Sequence, residues 1–543
     1  MKSLRNRLLA SCMALLATVS CISVSAAAQG ADAAQSSVLP ASQNAVSAVL
    51  ADNTAQWPNF RGSDDNIART DAKTARSAGE AKLNWTLELK ASTDWSTAIS
   101  DPVMVNDQLY YAVGSRLFVV DKSGSIVKKT DLDGTIDYTC RPLYLDGKVV
   151  IPLDDGSLQA LDASTLETVW TADTPAEWAP EGDPWRHQPL TTLTSQDGYI
   201  YAGTACADWS SSYYGVYRCI DGDTGAVVWV HENQNAGYYW SGAAHLNGAV
   251  IVAGDDGNLI SLDAKTGDER ASLALGEKVR TTVVRNGDEV LMVSVDGTLH
   301  KVKVLEDGTF GAHTQVNFSA YSTSTPAVHN GMAYVGGQKA DYSGVFSIID
   351  LSTMQIVQTA AAPADIKSAP LLSTGHAGEV YAYFTSNANP GALYAVKYGS
   401  DEAEARVVFT PSGDDQNYCM ASVIADENGT LYYTNDSGKL FAVGYNGGDN
   451  SSDTSSDVSS ESSVSEGTSQ GGSSELPSSS ISSASNSNSD GQSSSNPASS
   501  VHSAGTPATG DHSVSMVLLI VLVAAAVIAV VLLVVLRSKS KKK

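Results

Sequence analysis

A tripeptide of the form Gly-x-Leu returns through the middle of this chain and fixes what it can fold into. It occurs at Gly156-Ser157-Leu158, Gly257-Asn258-Leu259, Gly297-Thr298-Leu299, Gly391-Ala392-Leu393 and Gly438-Lys439-Leu440. Gly215-Val216-Tyr217 and Gly344-Val345-Phe346 are aromatic variants, and Gly114-Ser115-Arg116-Leu117 is one residue longer. From Gly297 to Gly344, Gly391 and Gly438 the step is 47 residues each time, and earlier steps run from about 40 to 60. Upstream of each anchor stands a turn pair and a β-branched or aromatic run, as in Asp146-Gly147-Lys148-Val149-Val150-Ile151 and Asn247-Gly248-Ala249-Val250-Ile251-Val252. Asn-Gly and Asp-Gly are preferred two-residue hairpin turns because both positions need positive φ. Downstream comes a second turn, Asp221-Gly222-Asp223-Thr224-Gly225 or Asp263-Ala264-Lys265-Thr266-Gly267. Each unit therefore carries three turns between four short strands, and helical periodicity is absent.

Such units cannot bury both faces alone. Stacked in a ring they can, and the ring must close. The fold expected is all-β: a single β-propeller of about eight four-stranded blades, with seven allowed if one weaker unit is an irregular hairpin. The last unit stops after its third strand near Gly444. The segment Leu83-Asn84-Trp85-Thr86-Leu87-Glu88-Leu89 looks like a fourth strand, with Trp85 where Trp170 and Trp229 stand in their own units. N-terminal and C-terminal strands are thus expected to share the closing blade.

The two ends of the chain say where it goes. Lys2, Arg5 and Arg7, the apolar residues 8–24 and Ala26-Ala27-Ala28 read as a secretory signal over residues 1–28. Residues 516–536 are an apolar run of 21, about 31 Å as a helix, and residues 537–543 are a basic tail. The expected topology is a transmembrane helix with the tail cytoplasmic and the propeller outside. Residues 29–55 read as a disordered spacer, 56–446 as the propeller domain, and 447–510 as a Ser-rich disordered stalk.

Net charge is −25; eight of the 34 basic residues lie at the two ends, leaving 26 against 59 acids between them. That surface disfavours nucleic acid. Of six cysteines, Cys12 and Cys21 fall in the leader. Cys206 and Cys219 flank an insertion in the third unit, and an oxidising exterior would permit a disulfide there, contributing about 3 kcal/mol. No local motif points to a metal or to hydrolase chemistry, and no catalytic residue is assigned.

Two resemblances sharpen the reading. Asp221, Thr224, Gly225 and Trp229 fit the A-x-D-x-x-T-G-x-x-x-W repeat, and Ala160, Asp162, Thr165 and Trp170 fit it with Leu166 in the glycine's place. With the opening Trp57-Pro58-Asn59-Phe60-Arg61-Gly62, the chain resembles pyrroloquinoline-quinone-binding-like propellers over residues 56–446. That family holds quinone-dependent dehydrogenases and a non-enzymatic outer-membrane assembly lipoprotein. The enzymes are known for an adjacent Cys-Cys pair, a Trp under the quinone and a bound calcium. No two cysteines are adjacent here, so quinone with calcium stands only as the alternative cofactor reading, with none as the first. Separately, Thr506-Pro507-Ala508-Thr509-Gly510 resembles the L-P-x-T-G sorting signal of Gram-positive surface proteins, with Thr506 in the leucine's place. The resemblance implies joining to peptidoglycan after Thr509.

The residues just before each first strand are expected at one mouth of the central channel. They are Trp95, Tyr138, Arg186 with His187, Tyr239 with Trp240, Arg280, Tyr321, Lys367 and Tyr418. Aromatic faces beside cationic and hydrogen-bonding groups suit a sugar or an anionic small ligand. The function expected is a surface-displayed, non-catalytic binding or scaffold protein, monomeric, engaging a glycan, peptide or protein at the extracellular face of the membrane or on the wall. A quinone-dependent dehydrogenase or other enzyme at the channel mouth is the alternative.

Overall fold

The computed structural model describes residues 55–175, 188, 191–207 and 212–447. The leader, the spacer up to residue 54, the stalk beyond 447, the sorting-like motif and the expected membrane helix lie outside the described residues. Among the described residues no helix is long and apolar enough to cross a membrane.

Eight sheets, each contributing four antiparallel blade strands, form a β-propeller. Blade 1 is Val103–Val105, Gln108–Val113, Arg116–Asp121 and Ile126–Asp131, from the channel outwards. Blades 2 to 7 repeat this order, with first strands at Leu143–Leu145, Thr194–Gln196, Ala244–Leu246, Val284–Asn286, Ala327–His329 and Leu371–Ser373. In blade 8, Ile424–Ala425, Leu431–Thr434 and Lys439–Tyr445 are completed by Ala81–Glu88, which pairs antiparallel with Lys439–Tyr445. Trp85 therefore does stand on the closing strand, as its sequence context implied.

The strands follow from local chemistry. Asp146-Gly147 (φ 45° and 81°) and Asn247-Gly248 (φ 55° and 68°) make the left-handed turns between first and second strands. Second strands such as Lys148–Pro152 and Ala249–Ala253 are buried throughout, because blades cover both of their faces. Outermost strands such as Thr168–Ala172 bury only alternate residues. The core is a series of seams between neighbouring blades: Tyr334 and Phe346 of blade 6 share one with Ala382 and Phe384 of blade 7, the two Phe rings stacked at 4.6 Å.

One contact recurs around the ring. The outermost strand of a blade sends a side-chain donor to a backbone carbonyl in the last turn of the next. Trp85 Nε1 donates to Lys122 O (2.8 Å), Trp170 Nε1 to Gly222 O (3.1 Å) and Trp229 Nε1 to Ala264 O (3.0 Å). Each indole lies on the turn glycine, so a Cβ on Gly225 would come within 2.7 Å of the Trp170 ring. Where the donor is not Trp, the glycine is dispensable. Lys128 donates to Ser164 O, and Leu166 takes the left-handed position at φ +63°. This explains the one departure of that unit from the repeat.

Residues 55–75 occupy the channel. Ala55–Trp57 pairs antiparallel with the first strand of blade 1, and Arg69–Thr70 pairs parallel with that of blade 7. Between them Tyr144 N donates to Pro58 O (2.7 Å) and Arg285 N to Asp65 O (3.0 Å). Asn66 Nδ2 donates to Ala243 O (2.9 Å) and Val283 O (2.8 Å), and the buried Arg61 to Pro370 O (2.8 Å). One short segment thus hydrogen-bonds to blades 1, 2, 4, 5 and 7 or to the connectors leading into them. First strands run from the face where one blade passes to the next (the upper face) to the lower face. Ala55–Trp57 therefore climbs from the lower face and Arg69–Thr70 descends to it. Lys439–Tyr445, a third strand, also descends. Both described ends of the chain leave by the lower face.

The docking contact predicts an asymmetry between two equivalent turns. Gly225→Val, at φ +73° against an indole, is expected to cost about 3 kcal/mol in a denaturant titration. Gly399→Val, at φ +77° in the equivalent turn of blade 7, where no indole docks and a Cβ would meet nothing within 4 Å, is expected to cost only the backbone part of that, about 1–2 kcal/mol. Equal losses would contradict the interlock.

Candidate functional site

A well of about 970 Å³ opens on the upper face. Its walls are the connectors into blades 1 and 2, residues 95–101 and 135–141, with contributions from Trp240, Lys367 and the turn at 434–436. Arg141, in the wall, stacks its guanidinium 3.7 Å over the ring of Phe60 in the channel segment.

Its aromatic side is built outwards from a buried ion pair. Arg280 donates to both oxygens of Asp255, at 2.9 and 2.7 Å. Asp255 also accepts from Ser212 Oγ (2.9 Å). The Arg280 guanidinium lies 4.2 Å over the Tyr239 ring. Burial works against the Arg280 charge, but the bonds and charge of Asp255 outweigh it and hold its pKa above the ordinary value. Tyr239 in turn hydrogen-bonds Tyr138 through their hydroxyls and packs 5.2 Å from Trp240, which meets Tyr138 edge-on at 6.4 Å. Tyr138 is 47% exposed as a residue, while burial of its hydroxyl pushes its pKa up. Trp95 is 61% exposed, yet its loop is clamped. Asp94 accepts from Ser96 N, Ser96 Oγ, Thr97 N and Thr97 Oγ1 at 2.5–3.1 Å, and those bonds lower its pKa to about 2.

The charged groups in the walls are occupied. Arg141 bonds Asp101 (3.3 Å), Thr192 Oγ1 (2.7 Å) and the carbonyl of Trp240 (3.2 Å). Burial raises the Asp101 pKa and lowers that of Arg141, each offset in part by the other. Lys90 donates to Thr97 O (2.5 Å), and Lys367 sits 4.0 Å from Asp365. Burial pushes Asp365 up to about 6 against the pull of Lys367. Beneath the well, Arg61 is 1% exposed, and burial with the repulsion of Arg141 lowers its pKa to about 9.

Of the residues expected at the mouth, Trp95, Tyr138, Trp240 and Lys367 line the well, with Tyr239 and Arg280 behind them. Tyr321 lies within electrostatic reach of Arg280, and Tyr418 accepts a bond from Asp436 N through its carbonyl (2.9 Å). Arg186 and His187 lie outside the described residues. Sequence reasoning missed Asp101 and Arg141, which stand two residues before their first strands. That position faces the axis in blade after blade: Thr192 Oγ1 and Thr282 Oγ1 bond each other there at 3.0 Å.

The Cys206–Cys219 disulfide is corrected. Cys206 lies opposite Tyr214 and Cys219 opposite Tyr201. Tyr214 and Cys219 are five residues apart on one strand, about 16 Å, far beyond disulfide reach. The two sulfurs are not joined. Cys140 has a structural place instead. Ser100, Thr191 and Thr281 each hydrogen-bond the backbone of the residue twelve positions on, tying first strand to second. Cys140 does the same with Pro152 O at 3.7 Å.

A family model described as outer membrane protein assembly factor BamB matches residues 63–212 and 214–451, well over half of the chain. The chain belongs to that family. Solved structures like this BamB-family propeller include the quinohemoprotein alcohol dehydrogenase ADHIIG of Pseudomonas putida HK5, at 12% identity and TM-score 0.55, covering 72% of this chain and 80% of that one. The quinohemoprotein alcohol dehydrogenase of Comamonas testosteroni gives 12% and 0.54 over the same shares. BamB of Moraxella catarrhalis gives 14% and 0.47, over 67% of this chain and 100% of that one. At these identities the likeness to the two dehydrogenases shows the fold alone. No curated protein sequence matches the chain.

Because Asp255 has no exposed side-chain surface, Arg280→Ala is expected to cost about 3–5 kcal/mol by stranding its charge. Arg280→Met combined with Asp255→Leu should recover most of that loss in thermal unfolding. A double variant as unstable as the single would contradict the pairing.

Proposed function

We propose that this BamB-family propeller is a non-catalytic binding protein displayed at the cell surface, with the upper well as its ligand site. The observation that carries the reading is the well itself: about 970 Å³, aromatic along one side, and lined by charges already bonded to neighbours. A pocket of this size with convergent polar groups is a common form of small-ligand site. Its ionisable groups hold the walls together, which supports recognition over proton transfer.

The quinone alternative asks for residues that the well lacks. No two cysteines in the chain are adjacent. Among the described residues no three of His, Cys, Asp or Glu gather as metal ligands. The residues present therefore do not fit a calcium-held quinone.

Display follows from combining the fold's polarity with the sequence. Both described ends leave the lower face. The stalk and the apolar run of residues 516–536 would then hold the chain from that face, on the side opposite the well. Chain length in the stalk is ample to lift the propeller clear of the surface.

The test uses the full chain in cells that carry it. The four cysteines of the propeller are buried, while Tyr342 is 76% exposed on an upper turn of blade 6. A membrane-impermeant maleimide is expected to label Tyr342→Cys on intact cells as fully as after lysis. Labelling that appears only after lysis would overturn the surface assignment.

A further inference from the structure

We propose that the well takes a neutral oligosaccharide, a step that rests on the binding reading above. The sequence alone left a sugar and an anion both open, because Arg280 and Lys367 counted as cations at the mouth. The structure removes much of that reason. Arg280 is held by Asp255 and faces Tyr239, not the open well. Arg141 is bonded to Asp101 and stacked on Phe60, and Lys367 lies beside Asp365. Lys90, Arg141 and Lys367 stand in the lining against Asp101, Asp137, Asp154 and Asp436, so the lining carries no excess of positive charge. Arg61 adds one buried cation below, but it is sealed from the well at 1% exposure.

What the lining offers is ring faces and acceptors. Trp95 and Tyr138 keep 61% and 47% of their surface exposed; Asp94 ties down the loop that carries Trp95, and the Tyr138 hydroxyl is bonded to that of Tyr239. The apolar face and wet edge of an exposed indole suit the C–H face of a pyranose ring. Carboxylates at Asp137 and Asp154, with hydroxyls such as Ser115 and Thr434, surround those rings with hydrogen-bonding groups for sugar hydroxyls. About 970 Å³ is at the upper end of small-ligand pockets, which fits several linked rings better than one.

A peptide is the weaker fit. Peptides commonly dock by adding a strand to an open sheet edge. In blades 1 and 7 the inner edges are already paired with Ala55–Trp57 and Arg69–Thr70.

The experiment is a titration of the purified full chain, followed by tryptophan emission, with three kinds of probe. The neutral probes are the hexamers of cellulose, starch, xylan, mannan and chitin. The anionic probe is a heparin hexasaccharide, and the third is an extended, uncharged Ser/Tyr peptide. At least one neutral hexamer is expected to give a saturable change that persists at about 0.5 M salt. Trp95→Ala is expected to weaken it about tenfold or more, Trp95→Phe to restore part of it, and Tyr342→Ala, outside the well, to leave it within about threefold. A response to heparin or peptide alone, if lost in Trp95→Ala, would overturn the sugar assignment and keep the well as a binding site. A sugar response indifferent to Trp95→Ala would overturn the assignment of sugar to the well. Silence from all three probes would overturn both the sugar assignment and the binding reading.

Discussion

From six of the eight blades the outermost strand reaches into the next blade with a side-chain hydrogen-bond donor, and the angle between those blades depends on that reach. Strand pairing within a blade satisfies its own backbone but says nothing about the angle to its neighbour. The donors Trp85, Trp170 and Trp229, each lying on a turn glycine, fix that angle by combining ring burial with a directed bond. Lys128, Arg270 and Gln358 serve the same slot with less buried area. Since Trp85 belongs to the closing strand, the contact that angles blades also seals the N-terminal strand to blade 1.

A ring of eight blades leaves a channel, and the protein fills it with its own chain. Asn66 holds the carbonyls of Ala243 and Val283, while Arg61 reaches Pro370, so residues 55–75 are bonded across the ring. The consequence is a molecule with two unlike faces. The lower face receives both ends of the described chain. The upper face keeps the well, whose aromatic side rests on Arg280 and Asp255 behind it. Membership in the BamB family accounts for the blades, while the well is a property of this chain's connectors.

Periodic features were legible in the sequence. The Gly-x-Leu steps, the turn pairs and the Trp on the closing strand each express a constraint within one unit or its neighbour. Leu166 in a glycine position was visible too, but its reason required seeing Lys128 in the docking slot. The channel segment was not legible: Asn66 meets partners 177 and 217 residues away, and no local pattern encodes such contacts. The mouth alignment gathered Trp95, Tyr138 and Trp240 but passed over Arg141, because connectors of unequal length hide a common register. Cys206 and Cys219 misled because flanking an insertion is not the same as facing across it.

The central claim is that the upper well binds without catalysing quinone chemistry. Its most direct test is a titration of the purified full chain with pyrroloquinoline quinone and calcium, following tryptophan emission and dye-linked oxidation of alcohols and sugars. The account predicts no saturable quenching and no turnover. Saturable quenching accompanied by turnover would contradict it and make this propeller a tethered dehydrogenase.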